Sequence, residues 1–226
     1  MKALLYAAGR GERLRPLTDS TPKPLISVAG STLIEKRIAA LRNGGVTDIV
    51  INLSWLGRLI REHLGDGSQN GVRIQYSDEG PQPLDSGGAI HHARQLLGEQ
   101  PFIAMNADIW TDFPVHRLVQ KKVDTAHLVL VPNPDHNPDG DFALLGQKVQ
   151  NDGAPRYTYS GIAVYDPKLA DKPSGKAFSV VPRLRHAADQ GLVSGEVYEG
   201  LWFDAGTVSR LETIESVATQ RCNRDL

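Results

Sequence analysis

The feature that most constrains this fold is an alternation of two periods over the first half of the chain. Short apolar runs are each followed by a stretch with its apolar residues on one helical face. Residues 2–8 (KALLYAA), 48–53 (DIVINL), 72–77 (VRIQYS) and 102–106 (FIAMN) have the length and composition of buried strands. A first helix is predicted after Thr32. Thr32 and Glu35 form a capping box, Ile34, Ile38 and Leu41 share a face, and Gly44-Gly45 ends it. Leu56, Leu59, Ile60 and Leu64 mark a second helix, stopped at Gly65, and a third runs from about Gly88 to Leu97. This pattern predicts βαβ units, hence an α/β, Rossmann-like, three-layer fold with a mostly parallel sheet and helices on both faces.

After residue 110 the pattern loosens. Residues 127–131 and 157–165 read as strands, 142–150 as a hairpin turning near Gly146-Gln147, and 179–190 and 207–220 as helices. Pro132 to Asp141 reads as a loop. With 226 residues, the chain is long enough to bury a core without disulfides, and its single cysteine, Cys222, excludes a disulfide framework. We read one domain over 1–226. The balance of 25 Lys+Arg against 26 Asp+Glu lacks the basic excess of a nucleic-acid binder. No apolar run approaches the ~20 residues of a membrane span. The stretch from Ala3 to Ala8 is too short for a signal peptide and runs straight into charge. A cytoplasmic protein with no nucleic-acid or membrane partner is expected, and no protein partner is indicated.

Chemistry concentrates in residues 7–25 (AAGRGERLRPLTDSTPKPL), directly after the first strand. Glycines there let backbone N–H groups approach an anion closely, and the flanking cations Arg13 and Lys23 offset its charge. Two familiar phosphate loops do not fit. The Rossmann G-x-G-x-x-G fits at Gly9 and Gly11 but meets Leu14 at its third glycine, which also weakens a dehydrogenase reading. Walker A fails because no Gly-Lys-Ser/Thr follows, and Pro16, Pro22 and Pro24 keep a helix from starting at once.

The run Gly9-x-Gly11-x-Arg13-Leu14-x-Pro16-Leu17-Thr18, followed by Pro22-Lys23-Pro24-Leu25, resembles the signature of the sugar-1-phosphate nucleotidylyltransferases. The likeness extends to Asn106-Ala107-Asp108, Ser160-Gly161-Ile162 and Trp202-Phe203-Asp204-Ala205-Gly206-Thr207. It implies a nucleotide-binding half over about 1–110 and a sugar-binding half over about 111–226. The implied substrates are a nucleoside triphosphate, UTP by the nearest likeness, and a sugar 1-phosphate. By the resemblance Gly9, Gly11 and Glu12 line the nucleotide, Arg13 grips the triphosphate, and Lys23 neutralises charge where the two phosphates meet. Asp108 and Asp204 share one Mg²⁺, two hard oxygen ligands suiting that ion; Asp204 could instead cap the last helix. Glu79 could accept from a base N–H, and Gly88 could let the base edge approach the backbone. Asn106, Asp141 and Gly161 are candidates for sugar contacts, Asp141 equally for a turn. Ala107 stands where the family commonly has glycine. A triphosphate other than UTP, or a nucleotide-sugar sensor without catalysis, are the competing functions. His91-His92 read as helix-surface residues, since neighbours on a helix point about 100° apart. His127, His186, Trp55 and Trp202 read as packing or surface residues.

Overall fold

The computed structural model describes residues 1–171 and 176–222. The chain opens with strand β1 (Ala3–Tyr6), a long loop of short 3₁₀ turns, a two-residue ribbon of β2 (Ser27–Val28) and β3 (Ser31–Thr32), and helix α1 (Leu33–Asn43). Then come β4 (Asp48–Leu53), α2 (Gly57–Leu64), β5 (Arg73–Asp78), α3 (Asp85–His92), α4 (Arg94–Leu97), β6 (Phe102–Asn106) and β7 (Ile109–Thr111). The second half holds β8 (Ala126–Val131), β9 (Phe142–Leu145), β10 (Lys148–Gln150), β11 (Arg156–Tyr165), α5 (Val181–Asp189), β12 (Val193–Val197), β13 (Trp202–Asp204) and α6 (Val208–Cys222).

Nine strands form one sheet in the order β5-β4-β1-β6-β11-β8-β12-β10-β9. The expectation of a mostly parallel sheet is corrected here: the sheet is mixed. β5, β4, β1 and β6 are parallel, as is the β8–β12 pair. β11 runs antiparallel to both β6 and β8, and β10 antiparallel to β12 and β9. The physical reason lies in the connections. Helices link the first four strands and allow crossovers, whereas β8 to β11 follow one another without a helix and must return by antiparallel pairing. The predicted third helix is two pieces, α3 and α4, meeting at Ala93.

Alternate residues of the central strands feed two cores, which is why these strands read as unbroken apolar runs. Ala3, Leu5, Ile51 and Met105 meet Ile34, Ile38 and Leu41 of α1 and Ile60 and Leu64 of α2. Leu4, Val50 and Ala104 meet Ile90, Leu97 and, on α5, Leu184 and Ala188. The Thr32–Glu35 capping box forms: Thr32 Oγ1 accepts from Glu35 N at 3.3 Å and Glu35 Oε2 from Thr32 N at 2.8 Å. A third core joins Leu14, Ile26 and Val28 of the glycine-rich loop to Trp110, Ala205, and Leu211, Ile214 and Ala218 of α6. No described helix is long and apolar enough to cross a membrane.

Candidate active site

The carboxyl ends of four adjacent strands make the floor of a cleft, the side of an α/β sheet where ligands bind. Asn52, Tyr6 and Asn106 stand side by side on β4, β1 and β6. Beyond them the register of β11 slips between Tyr159 and Ile162. At that bulge Gly161 has φ +78°, and a methyl on it would lie 2.6 Å from Asn106 Nδ2. The bulge therefore brings backbone tightly against the Asn106 side chain, and only glycine leaves it room.

Above this floor lie three linked cavities. The first, of about 460 Å³, is lined by Gly9, Gly11, Glu12, Arg13, Lys23, Asp108 and Gly206, among others. The second, beside it, is lined by Gly9, Asn52, Glu79, Pro83, Asp85 and Asn106. Arg13, Asn106, Asp108, His136, Trp202 and Asp204 border the third. The loop is braced from beneath. Thr18 Oγ1 donates to Gly11 O at 2.9 Å, and Trp55 Nε1 donates to Thr18 O at 3.1 Å. Gly11 has φ +66°, and a methyl there would lie 2.9 Å from Thr18 Cγ2, so this glycine is required by conformation and by space. Among the described residues nothing accepts from the backbone N–H of Gly9, Arg10 or Gly11, and Arg13 has no ion-pair partner. Free N–H groups beside an unpaired guanidinium make an anion cradle.

Two carboxylates face this cradle from a short antiparallel ribbon. β7 and β13 pair Ile109 with Asp204, and Ala205 N donates to Asp108 O at 2.9 Å. This brings Asp108 and Asp204, far apart in sequence, to neighbouring positions. Lys23 Nζ donates to Asp108 Oδ2, and Arg210 Nη1 to Asp204 Oδ2. Asp204 Oδ1 is buried and accepts no hydrogen bond, with His136 Nε2 3.4 Å away. A buried carboxylate oxygen left unsatisfied is costly, and it suits a hard cation. Two carboxylates alone do not make a complete cage: no group of three or more His, Cys, Asp or Glu able to hold a metal occurs among the described residues. Such an ion would need other oxygens, as Mg²⁺ usually takes from waters and phosphates.

Other predicted positions lie differently. Glu79 lines the second cavity, but Oε1 accepts from Asn52 Nδ2 at 2.8 Å and Oε2 from Leu84 N at 2.7 Å. Burial pushes its carboxyl above the usual carboxylate range, so Glu79 chiefly orients Asn52 and the turn before α3. Gly88 is buried away from the cleft. Its N–H donates to Phe178 O at 3.1 Å, and a methyl would lie 2.5 Å from Lys176 O, so it serves close packing and offers no edge to a base. Asp141 borders none of the three cavities, and its Oδ2 accepts from Tyr159 N at 2.8 Å. The last helix begins beside Thr207, whose Oγ1 accepts from Arg210 N at 3.4 Å, so Asp204 is not its cap. Ala107 is fully buried with φ outside the left-handed region, so alanine is accommodated. Of the residues read as packing, Trp202 nevertheless borders the third cavity, its Nε1 donating to Ser160 O. Sequence reading missed Arg210 and His136, which stand outside any motif: Arg210 reaches the site through Asp204, and His136 borders the third cavity beside the same carboxylate.

Residues 2–144 match the family model described as nucleotidyl transferase. The chain is 46% identical to the N-acetylmuramate alpha-1-phosphate uridylyltransferase of Neisseria meningitidis serogroup B, covering 96% of this chain and 98% of that one. It is 34% identical to the enzyme of the same name from Caulobacter vibrioides, covering 90% and 91%. Among solved structures, a Bacillus anthracis protein described as a glucose-1-phosphate thymidylyltransferase superposes with a TM-score of 0.83 at 22% identity, covering 96% of this chain and 95% of that one.

Proposed function

Because this chain belongs to the nucleotidyl transferase family, we propose that it transfers a uridylyl group from UTP to N-acetylmuramic acid α-1-phosphate. The products are the UDP-sugar and pyrophosphate, in a step suited to recycling cell-wall sugars. The observation that carries the reaction type is the convergence of Arg13, Lys23, Asp108 and Asp204 on linked cavities beside free loop N–H groups. The choice of substrates rests on the near-full-length match to two uridylyltransferases.

The sugar phosphate oxygen attacks the α-phosphorus, a new P–O bond forms in line, and pyrophosphate leaves with the electron pair of the broken one. Both reactants are anions, so the chain's task is to position them and to offset charge. In this reading Gly9 and Gly11 lend N–H groups to the triphosphate, and Arg13 holds the departing pyrophosphate. Lys23 sits where the two phosphates meet. Asp108 and Asp204 would hold a divalent cation, Mg²⁺ by the hardness of their oxygens, and that ion would draw charge off the phosphates. The nucleotide occupies the half over 1–110 and the sugar the half over 111–226, with the third cavity lined from both halves.

The test is pyrophosphate release across a matrix of UTP, CTP and GTP against N-acetylmuramic acid, N-acetylglucosamine and mannose 1-phosphates. We expect the highest kcat/KM for UTP with the muramic substrate. We also expect Asp108→Asn and Asp204→Asn each to nearly abolish turnover. A preference for GTP with mannose 1-phosphate would replace this assignment.

A further inference from the structure

Beside the cleft, on Asp204, lies a cation that the loop motif does not account for. Arg210 lies in the first turn of α6, a helix of 15 residues with no acidic side chain in that turn. A cation at a helix N-terminus opposes the helix dipole, and an anion there is favoured. Arg210 is held on Asp204 through one oxygen, while the other oxygen accepts no hydrogen bond. Settled arginine–carboxylate pairs are frequently two-pronged; this one is not. Gly206 shows how crowded the charge is. A methyl on it would lie 2.7 Å from Arg210 Nη1, 2.8 Å from Asp204 Oδ2 and 3.3 Å from Arg13 Nη2. The two guanidinium groups therefore approach within roughly 6 Å of each other, a distance at which like charges repel unless an anion lies between them. Asp204 is that anion. Lys23 stands in the same relation to Asp108.

We propose that Arg210 is a second phosphate-binding arginine, held in reserve on Asp204 and handed to the triphosphate when a divalent cation takes that carboxylate. This rests on the nucleotidyl-transfer reading. A cation on Asp204 turns the local Coulomb term for Arg210 from attraction to repulsion. Asp204 is the side chain's only carboxylate partner among the described residues, so the guanidinium is free to turn. The first cavity, lined by both Gly206 and Arg13, is where it meets an anion. Cation and phosphate chain then bind cooperatively, each removing an obstacle to the other.

The test uses the full chain, wild type against Arg210→Gln and Arg210→Met, the second replacing the charge with an unbranched apolar side chain. Mn²⁺ binding without nucleotide is read by electron paramagnetic resonance, and inorganic pyrophosphate binding with Mg²⁺ by calorimetry. Both variants are expected to bind Mn²⁺ alone roughly threefold tighter, because the resident cation is gone, and pyrophosphate about tenfold more weakly, ~1.4 kcal/mol. Arg210→Lys is expected to recover most of the pyrophosphate affinity. Wild-type pyrophosphate affinity in a folded variant overturns the proposal, leaving Arg210 a brace for Asp204. Weaker Mn²⁺ binding in the variants overturns it too, since Arg210 would then be positioning Asp204 for the ion. Neither readout needs a sugar or turnover. An inactive UTP–sugar pair alongside the expected binding changes would therefore sink the substrate assignment and leave this one standing.

Discussion

Arg10 and Arg13 stand three positions apart in one loop and both line the first cavity, but their surroundings differ. The Arg10 guanidinium lies 5.2 Å from the centroid of the Trp55 ring, whereas Arg13 also borders the third cavity and has no acidic partner. Arg13→Ala should therefore lower kcat/KM by ~10² or more, the ~2.7 kcal/mol of a preorganised transition-state contact, while Arg10→Ala stays within a few-fold. Steady-state kinetics of the two variants decides this; equal losses would mean the loop has been misread. A second prediction concerns the bulge. Gly161→Ala puts a methyl at a left-handed backbone position and against Asn106. It should cost about 1 kcal/mol or more of stability and raise KM for the sugar phosphate more than for the triphosphate. Equal rises in both would detach Asn106 from the sugar side. That Arg13, Lys23, Asp108 and Asp204 gather at one cleft was legible in the sequence because their motifs are long. The engagement of Glu79 by Asn52 was not, because it exists only once β4 and β5 lie side by side.

Elements were legible where their signals are local. The α1 cap closes within three residues of Thr32, and the β9–β10 hairpin turns where Gly146 has φ +60°. The β7–β13 ribbon was not legible: each strand has three residues, and Thr111 finds its partner at Trp202. The antiparallel placement of β11 between β6 and β8 was not legible for the same reason, since nothing local says which neighbour β11 will choose. A polar tie across the parallel β8–β12 pair offers a test at this scale. His127 is buried on β8, its ring 2.8 Å from Ser194 Oγ and 3.1 Å from Glu196 Oε1. The His127 hydrogen bond, with Arg117 beside it, holds the Glu196 carboxyl below the usual carboxylate range. A depressed folded-state value means the ionised form favours the fold. That stability is present above the unfolded-state value and is lost as pH falls through the folded-state one. Glu196→Gln should thus lower the melting temperature near neutral pH, with the gap to wild type closing on acidification below the usual carboxylate range. A gap that persists unchanged in acid would assign the tie to packing alone.

The molecule as a whole closes its site by joining its two ends. Leu14, Ile26 and Val28 of the glycine-rich loop share a core with Leu211, Ile214 and Ala218 of α6, and the Asp204 ribbon lies against the same core. Ile214 is fully buried there. Ile214→Ala should cost ~2–5 kcal/mol and raise KM for the triphosphate, because the loop loses its backing while the main sheet keeps its own two cores. Thermal melts with and without nucleotide, beside the kinetics, check both parts; an unchanged KM at reduced stability would separate the loop from the helix beneath it. The same join has a consequence for synthesis. A ribosome delivers the loop before α1, but α6, which backs it, follows every other described element, and chains fold largely in the order they emerge. Until α6 emerges, the nascent protein carries an apolar underside with nothing to cover it and an anion cradle missing one of its walls. That uncovered underside is what a chaperone would find until then.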